Sequence, residues 1–186
     1  MRRVPPGDSI QSVAHRLILI NGLPGSGKST LAGRLAPALR VPLIGKDALK
    51  EAMAGAVPGV PPSAVGRVAA QVMWELAAAT PGVVILESWW FRPRDLGYVT
   101  EGVARSGARS TVEIWCSVPV EVALDRYRRR GRHAVHEDDR RLAEDWPRWA
   151  AEAEPLGIGP TLIVETDRPV IATRLIEAIS EAIGGV

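Results

Sequence analysis

An α/β fold, with a parallel sheet of about five strands covered by helices on both faces, is predicted by three observations. Short apolar runs alternate with helical segments along the chain. The first run, Leu17-Ile18-Leu19-Ile20, is uninterrupted, as in a strand buried on both faces, and it leads into a glycine-rich loop that opens a helix. The length of 186 residues suits one domain with one core.

The elements follow in order. Residues 1 to 15 hold Arg2, Arg3, Pro5, Pro6 and Gly7 without periodicity and are expected to form an extended arm, with the domain occupying 16 to 186. The first strand ends at Asn21-Gly22, a helix runs from Lys28 to about Leu39, and Val41 to Ile44 is a second short strand. Asp47 begins another helix, which the Val57-to-Pro62 segment breaks before Ser63 caps a long helix to about Ala79. Val83 to Leu86 is the third strand, Asp95 to Arg105 a helix, and Thr111 to Cys116 the fourth strand. Pro119 suits the first position of a helix reaching Arg130, and Gly131 to Asp138 reads as a polar, mobile segment. A helix around Trp146 and Trp149, a strand from Thr161 to Val164 and a helix from Pro169 to about Ile183 complete the chain. Right-handed crossovers bring the strand ends to one rim, where the ends of strands one, two and three carry the glycine-rich loop, Asp47 and Glu87 and one ligand can meet all three.

Composition narrows the class. With 46% hydrophobic and 24% charged residues the chain is not a disordered one. No apolar run approaches the roughly 18 residues that span a bilayer, and the start lacks the apolar core of a secretory signal, so a cytoplasmic protein without membrane contact is expected. Cys116 is the single cysteine and closes an apolar run, which fits a buried structural thiol. A net charge of +2 is low for a general nucleic-acid surface, although a local arginine cluster can bind phosphates. The sequence carries no signal for oligomeric state.

Gly22-Leu23-Pro24-Gly25-Ser26-Gly27-Lys28-Ser29, followed by Thr30, meets the pattern G-x-x-x-x-G-K-[ST] in its required setting of strand, loop and helix. The glycines let successive amide N–H groups turn inward toward phosphate oxygens, and the helix start adds its positive dipole end. Lys28 is positioned for β and γ phosphates and the Ser29 hydroxyl for Mg²⁺, so the expected ligands are ATP and Mg²⁺. No Asn-Lys-x-Asp segment of the kind that reads guanine is present.

Those residues, with the acid of Leu43-Ile44-Gly45-Lys46-Asp47, the acidic end of the third strand and the arginine-rich Asp125-to-His133 segment, resemble a group of small P-loop kinases. The group includes chloramphenicol phosphotransferase, zeta toxins, gluconate kinase and the kinase domain of polynucleotide kinases, and the resemblance covers about residues 16 to 170. It implies a three-layer P-loop NTPase fold with a short arginine-rich lid. It also implies that Asp47 stands near the acceptor hydroxyl, where a carboxylate can take its proton, although Asp also suits a helix cap. Glu87 stands where a Walker B-type carboxylate holds water on Mg²⁺; a substrate contact or a structural hydrogen bond are the alternatives. In the lid, by the same resemblance, Arg126 stacks on adenine and Arg130 reaches the transferring phosphates, with Arg132 as substitute. Thr166-Asp167 corresponds to a contact with the adenine edge, or to a simple turn.

Trp89-Trp90-Phe91-Arg92-Pro93-Arg94 follows the third strand on the acceptor side. Three adjacent aromatics do not all enter one core, so Trp89 and Trp90, with Arg92 and Arg94, are candidate walls for an aromatic or glycosidic acceptor; packing beneath the next helix is the alternative. The expected activity is transfer of the γ-phosphate of ATP to a hydroxyl of a small molecule, an antibiotic among the candidates. A polynucleotide or nucleoside 5′-hydroxyl kinase is the second reading, disfavoured by the low net charge. A regulatory nucleotide-dependent switch is the third, and Asp47 with the lid arginines speaks against it.

Overall fold

The structure, a computed structural model, describes residues 15–131 and 133–184; most of the expected N-terminal arm, and Arg132, lie outside the described residues. Five strands form one wholly parallel sheet: β1 (Arg16–Asn21), β2 (Leu43–Gly45), β3 (Val83–Glu87), β4 (Ser110–Ser117) and β5 (Thr161–Glu165), in the order β2-β3-β1-β4-β5. The helices are α1 (Lys28–Leu39), α2 (Lys46–Ala56), α3 (Pro62–Ala79), α4 (Arg92–Ser106), α5 (Val120–Arg129), α6 (Asp138–Glu144), α7 (Trp146–Glu152) and α8 (Ala172–Ile183), with one 3₁₀ turn at Ala134–His136. No helix among the described residues is long and apolar enough to cross a membrane.

The two-residue period of β1 explains the three layers. Leu17, Ile18, Leu19 and Ile20 are all fully buried, but alternate residues face opposite ways. Ile18 and Ile20 pack with Leu31 and Leu35 of α1 and Ile179 of α8. Leu17 and Leu19 pack with Met73 and Trp74 of α3 and Val99 of α4. A third cluster joins Leu23, Phe91, Tyr127, Trp146 and Trp149, and roots α5 and α7 on the phosphate loop. Cys116 is a buried free thiol, pushed up to about 12 by burial and therefore inert.

Several boundaries differ from expectation. β2 starts at Leu43, not Val41, because it is an edge strand that pairs only with β3, over Leu43, Ile44 and Gly45. Ser63 lies inside the first turn of α3, behind Pro61 and Pro62, and caps nothing. α4 begins at Arg92 because the Asp95 carboxylate reaches back to accept the N–H of Phe91 at 2.8 Å. Pro119 stands just ahead of α5 and Arg130 just beyond it, while α8 starts at Ala172 instead of Pro169. The 131–138 segment, expected to be polar and mobile, buries Val135 and His136 against α2.

Gly102 lets α4 approach α3: a Cβ there would lie 2.3 Å from the buried Trp74 indole. Gly102→Ala therefore overpacks this contact. The expected loss is about 1–3 kcal/mol, outweighing the gain in helix propensity, and is checked by the urea midpoint.

Candidate functional site

The phosphate loop is anchored before it begins. Asn21, fully buried at the end of β1, accepts the N–H groups of Gly22 (2.8 Å) and Trp90 (3.0 Å) through Oδ1. Its Nδ2 donates to the Trp90 carbonyl (3.2 Å) and to Glu113 Oε1 (3.0 Å). Glu113, 1% exposed, also accepts the N–H groups of Leu156 (3.0 Å) and Gly157 (3.1 Å), which accounts for a carboxylate so deep in the sheet. Gly22 and Gly25 both have positive φ, and a Cβ would lie 2.5 Å from the Cys116 carbonyl at Gly22 and 2.1 Å from the Ala123 carbonyl at Gly25. No other residue fits either position.

Lys28, 7% exposed, donates from Nζ to the Leu23 carbonyl at 3.0 Å. Burial lowers its pKa, opposed by the charges of Glu87 and Asp47. The Ser29 hydroxyl donates to Glu87 Oε1 at 3.3 Å, so the end of β3 and the start of α1 bring two oxygen ligands together. This donor set fits Mg²⁺, which takes one or two protein oxygens and completes its shell with phosphate and water. Among the described residues no cluster of three or more His, Cys, Asp and Glu side chains gathers to hold a metal. The Ser26 hydroxyl is buried without a partner, and its carbonyl accepts the Thr166 hydroxyl from the end of β5.

Two cavities flank the loop. The first, about 420 Å³, is lined by Gly25, Gly27, Thr30, Arg126, Thr166 and Arg168 among others. Arg126 Nη1 donates to the Thr166 carbonyl at 3.4 Å. The second, about 570 Å³, is lined by Pro24, Asp47, Glu87, Trp89, Trp90, Arg94 and His136 among others, with walls from α2, α3, α4, α5, α6 and α7. Lys28, Ser29 and Arg130 line both, so the cavities meet at these three side chains. Arg130 lies 4.3 Å above the Tyr127 ring and 3.9 Å from Asp138, which also accepts the Tyr127 hydroxyl at 2.8 Å.

The expected site residues largely converge. Asp47 occupies the first turn of α2, but Gly45 is the residue ahead of that helix and no side chain caps it, so the capping alternative fails. Gly22 is buried below the loop and lines neither cavity. Trp89 rests edge-on against Trp149 and tilted against Phe91 and Trp115, with its indole N–H buried and unpartnered. Trp90 and Phe91 are core residues on opposite sides of the chain, although Trp90 still touches the second cavity. Arg92 turns away to pair with Glu154 at 2.8 Å and lines neither cavity, because α4 begins at that residue and points it outward. Arg94 does line the second cavity, paired with Asp95 at 2.7 Å.

Sequence reasoning misses Lys46, Lys50, His136 and Arg141, all in the second cavity. His136, 4% exposed, contacts Glu51 at 2.7 Å and Asp47 at 3.8 Å. Lys46 and Lys50 carry the one available signal: four residues apart, they share a helix face with Asp47 between them.

The same architecture recurs in solved structures. A protein of Chloroflexus aurantiacus provisionally described as a kinase is 22% identical, with a TM-score of 0.71 over 92% of this chain and 99% of that one. Shikimate kinase from Bacteroides thetaiotaomicron is 22% identical, with a TM-score of 0.60 over 88% of this chain and 97% of that one. The tunicamycin resistance protein of Deinococcus radiodurans is 18% identical, with a TM-score of 0.53 over 92% of this chain and 96% of that one. No curated protein matches the sequence. Residues 17–156, from β1 through the phosphate loop and lid to the Glu113 anchor at Leu156, match the AAA domain family AAA_33, and the chain belongs to that family.

Proposed function

We propose that the chain is an ATP-dependent phosphotransferase that moves the γ-phosphate to a hydroxyl of a small molecule. The observation that carries this reading is the junction of the two cavities at Lys28, Ser29 and Arg130, with Asp47 on the far side. One cavity suits the nucleotide and the other the acceptor, and transfer occurs where they meet. In this reading the amides of Gly25 to Thr30 and the Lys28 ammonium bind the triphosphate, while Arg126 and Thr166 face the base. Ser29 and Glu87 would hold Mg²⁺, which when bound supplies positive charge to the β and γ phosphates.

Asp47 accepts the proton of the acceptor hydroxyl as its oxygen bonds to the γ-phosphorus and the bond to the β-phosphate oxygen breaks, releasing ADP. Lys28 and Arg130 balance the charge on the transferring group. A walled second cavity of about 570 Å³ favours a small molecule over a polymer. Neighbours named as shikimate kinase and gluconokinase support the same class, and one named as a tunicamycin resistance protein brings antibiotics into the panel to be tested.

The test is incubation with ATP, Mg²⁺ and a panel of hydroxylated antibiotics, sugars, hydroxy acids, nucleosides and 5′-hydroxyl oligonucleotides. Mass spectrometry is expected to find one added phosphate on a small molecule. Phosphate on oligonucleotides alone would support the 5′-hydroxyl kinase, and ATP hydrolysis without any acceptor would support a regulatory ATPase.

A further inference from the structure

The second cavity holds more positive charge than phosphoryl transfer needs. Arg94 is paired with Asp95 at 2.7 Å, and Arg130 approaches Asp138. Lys46, Lys50 and Arg141 also line this cavity, and none of them forms an ion pair among the described residues. Lys50 is only 4% exposed, and its hydrogen-bond partner among the described residues is the Val135 carbonyl at 2.6 Å, a neutral acceptor. A buried lysine normally faces a carboxylate. Arg141 lies 6.0 Å from the Trp149 ring, with its Nε buried and unpartnered.

Two further donors on the same wall, Trp89 Nε1 and the Tyr98 hydroxyl, are likewise buried without partners. Buried polar groups are nearly always hydrogen-bonded, so unsatisfied donors on several residues that line one cavity mark its lining as short of acceptors. The cations also strain one another. Burial first, and then Arg141 and Lys46, lower Lys50 to about 8, while burial lowers Lys46 against the pull of Asp47. An anion in the cavity relieves both effects.

We infer that the acceptor bears an oxyanion, a carboxylate or a phosphate monoester, that is held by Lys46, Lys50 and Arg141 while its hydroxyl meets Asp47. This rests on the phosphotransferase reading and adds the acceptor's charge to it. Lys46 and Lys50 share one face of α2, and Asp47, three residues before Lys50, lines the same cavity, so the oxyanion and the reacting hydroxyl belong to one compact molecule.

The test uses the full chain saturated with Mg²⁺ and the non-hydrolysable analogue AMP-PNP, so that the phosphate loop is filled. Three probes on one six-carbon skeleton are titrated calorimetrically: D-glucose, D-gluconate and D-glucose 6-phosphate. At least one anion is expected to bind about tenfold or more tightly than glucose, the scale of one charge-assisted hydrogen bond. A preference for gluconate assigns a carboxylate, and a preference for glucose 6-phosphate assigns a phosphate. Lys46→Gln and Arg141→Gln are each expected to weaken anion binding about tenfold while AMP-PNP affinity, which also reports folding, stays within about twofold. Glucose binding as tightly as both anions, neither anion binding, or anion affinity unchanged in folded variants would overturn the inference. Loss of AMP-PNP affinity in lysine and arginine variants that keep the wild-type urea midpoint would overturn it too, by assigning these cations to the nucleotide. The phosphotransferase reading fails separately, if the chain binds an anion but transfers no phosphate from ATP to any acceptor.

Discussion

Asp47→Asn is expected to lower turnover by about 10²–10⁴-fold while ATP affinity stays within about twofold. The substitution keeps the size of the side chain and an oxygen that can orient a hydroxyl, but removes the group able to take its proton. Asp47 lines the second cavity and not the first, and its side chain is half-exposed, so the substitution leaves the lining of the first cavity and the core intact. The loss therefore falls on kcat with acceptor saturating, and steady-state kinetics with both substrates varied separate it from a loss of binding. Near-normal kcat in the Asn variant would remove Asp47 from the proton transfer and leave positioning by the two cavities as the source of rate.

Lys28→Met is expected to move affinity and stability in opposite directions. ATP binding weakens by about 10–100-fold, the scale of charge-assisted hydrogen bonds of about 1.5–3 kcal/mol. The free protein becomes no less stable, or gains about 1 kcal/mol, because an apolar side chain replaces a buried ammonium whose desolvation is only partly offset by Glu87 and Asp47. Folding lowers the Lys28 pKa, so the folded state holds this proton less tightly than the unfolded chain. The cost of burying the charge is fully present below the folded pKa and fades as pH rises from there toward the unfolded value of 10.5. Wild type therefore gains on the Met variant as pH increases through that window. Calorimetric titration with ATP and urea melts at neutral and alkaline pH measure the two effects. A variant that loses both affinity and stability would show that Lys28 braces the loop through Leu23 more than it serves the nucleotide.

The parts of this molecule that are legible in its sequence are those governed by local pattern. β1 and β3 read directly because residues such as Leu17 to Ile20 are buried on both faces, and the phosphate loop reads because its glycines are required by backbone geometry. Boundaries shift where a side chain acts backward along the chain, as Asp95 does on Phe91. The wall of the second cavity is the least legible part. Lys50 and Glu51 meet Val135 and His136 across 85 residues, and a short polar stretch gives no sign that two of its members will be buried by a distant helix. Likewise Trp90 joins the cluster of Met73 and Trp74 while Trp89 and Phe91 join that of Trp146 and Trp149, a division decided by packing and not by their shared chemistry.

The anchor below the phosphate loop also has a consequence for biosynthesis. Asn21 is set by Glu113, Glu113 by the amides of Leu156 and Gly157, and the loop carbonyl of Ser26 by Thr166. The phosphate loop is complete in sequence at Ser29, but its supports come from Glu113 to Thr166. On a ribosome adding roughly 5–20 residues per second, the loop emerges several seconds before its supports. A nascent chain ending short of β5 holds the complete loop sequence without the bonds that shape it, so ATP can aid folding only once β5 has emerged.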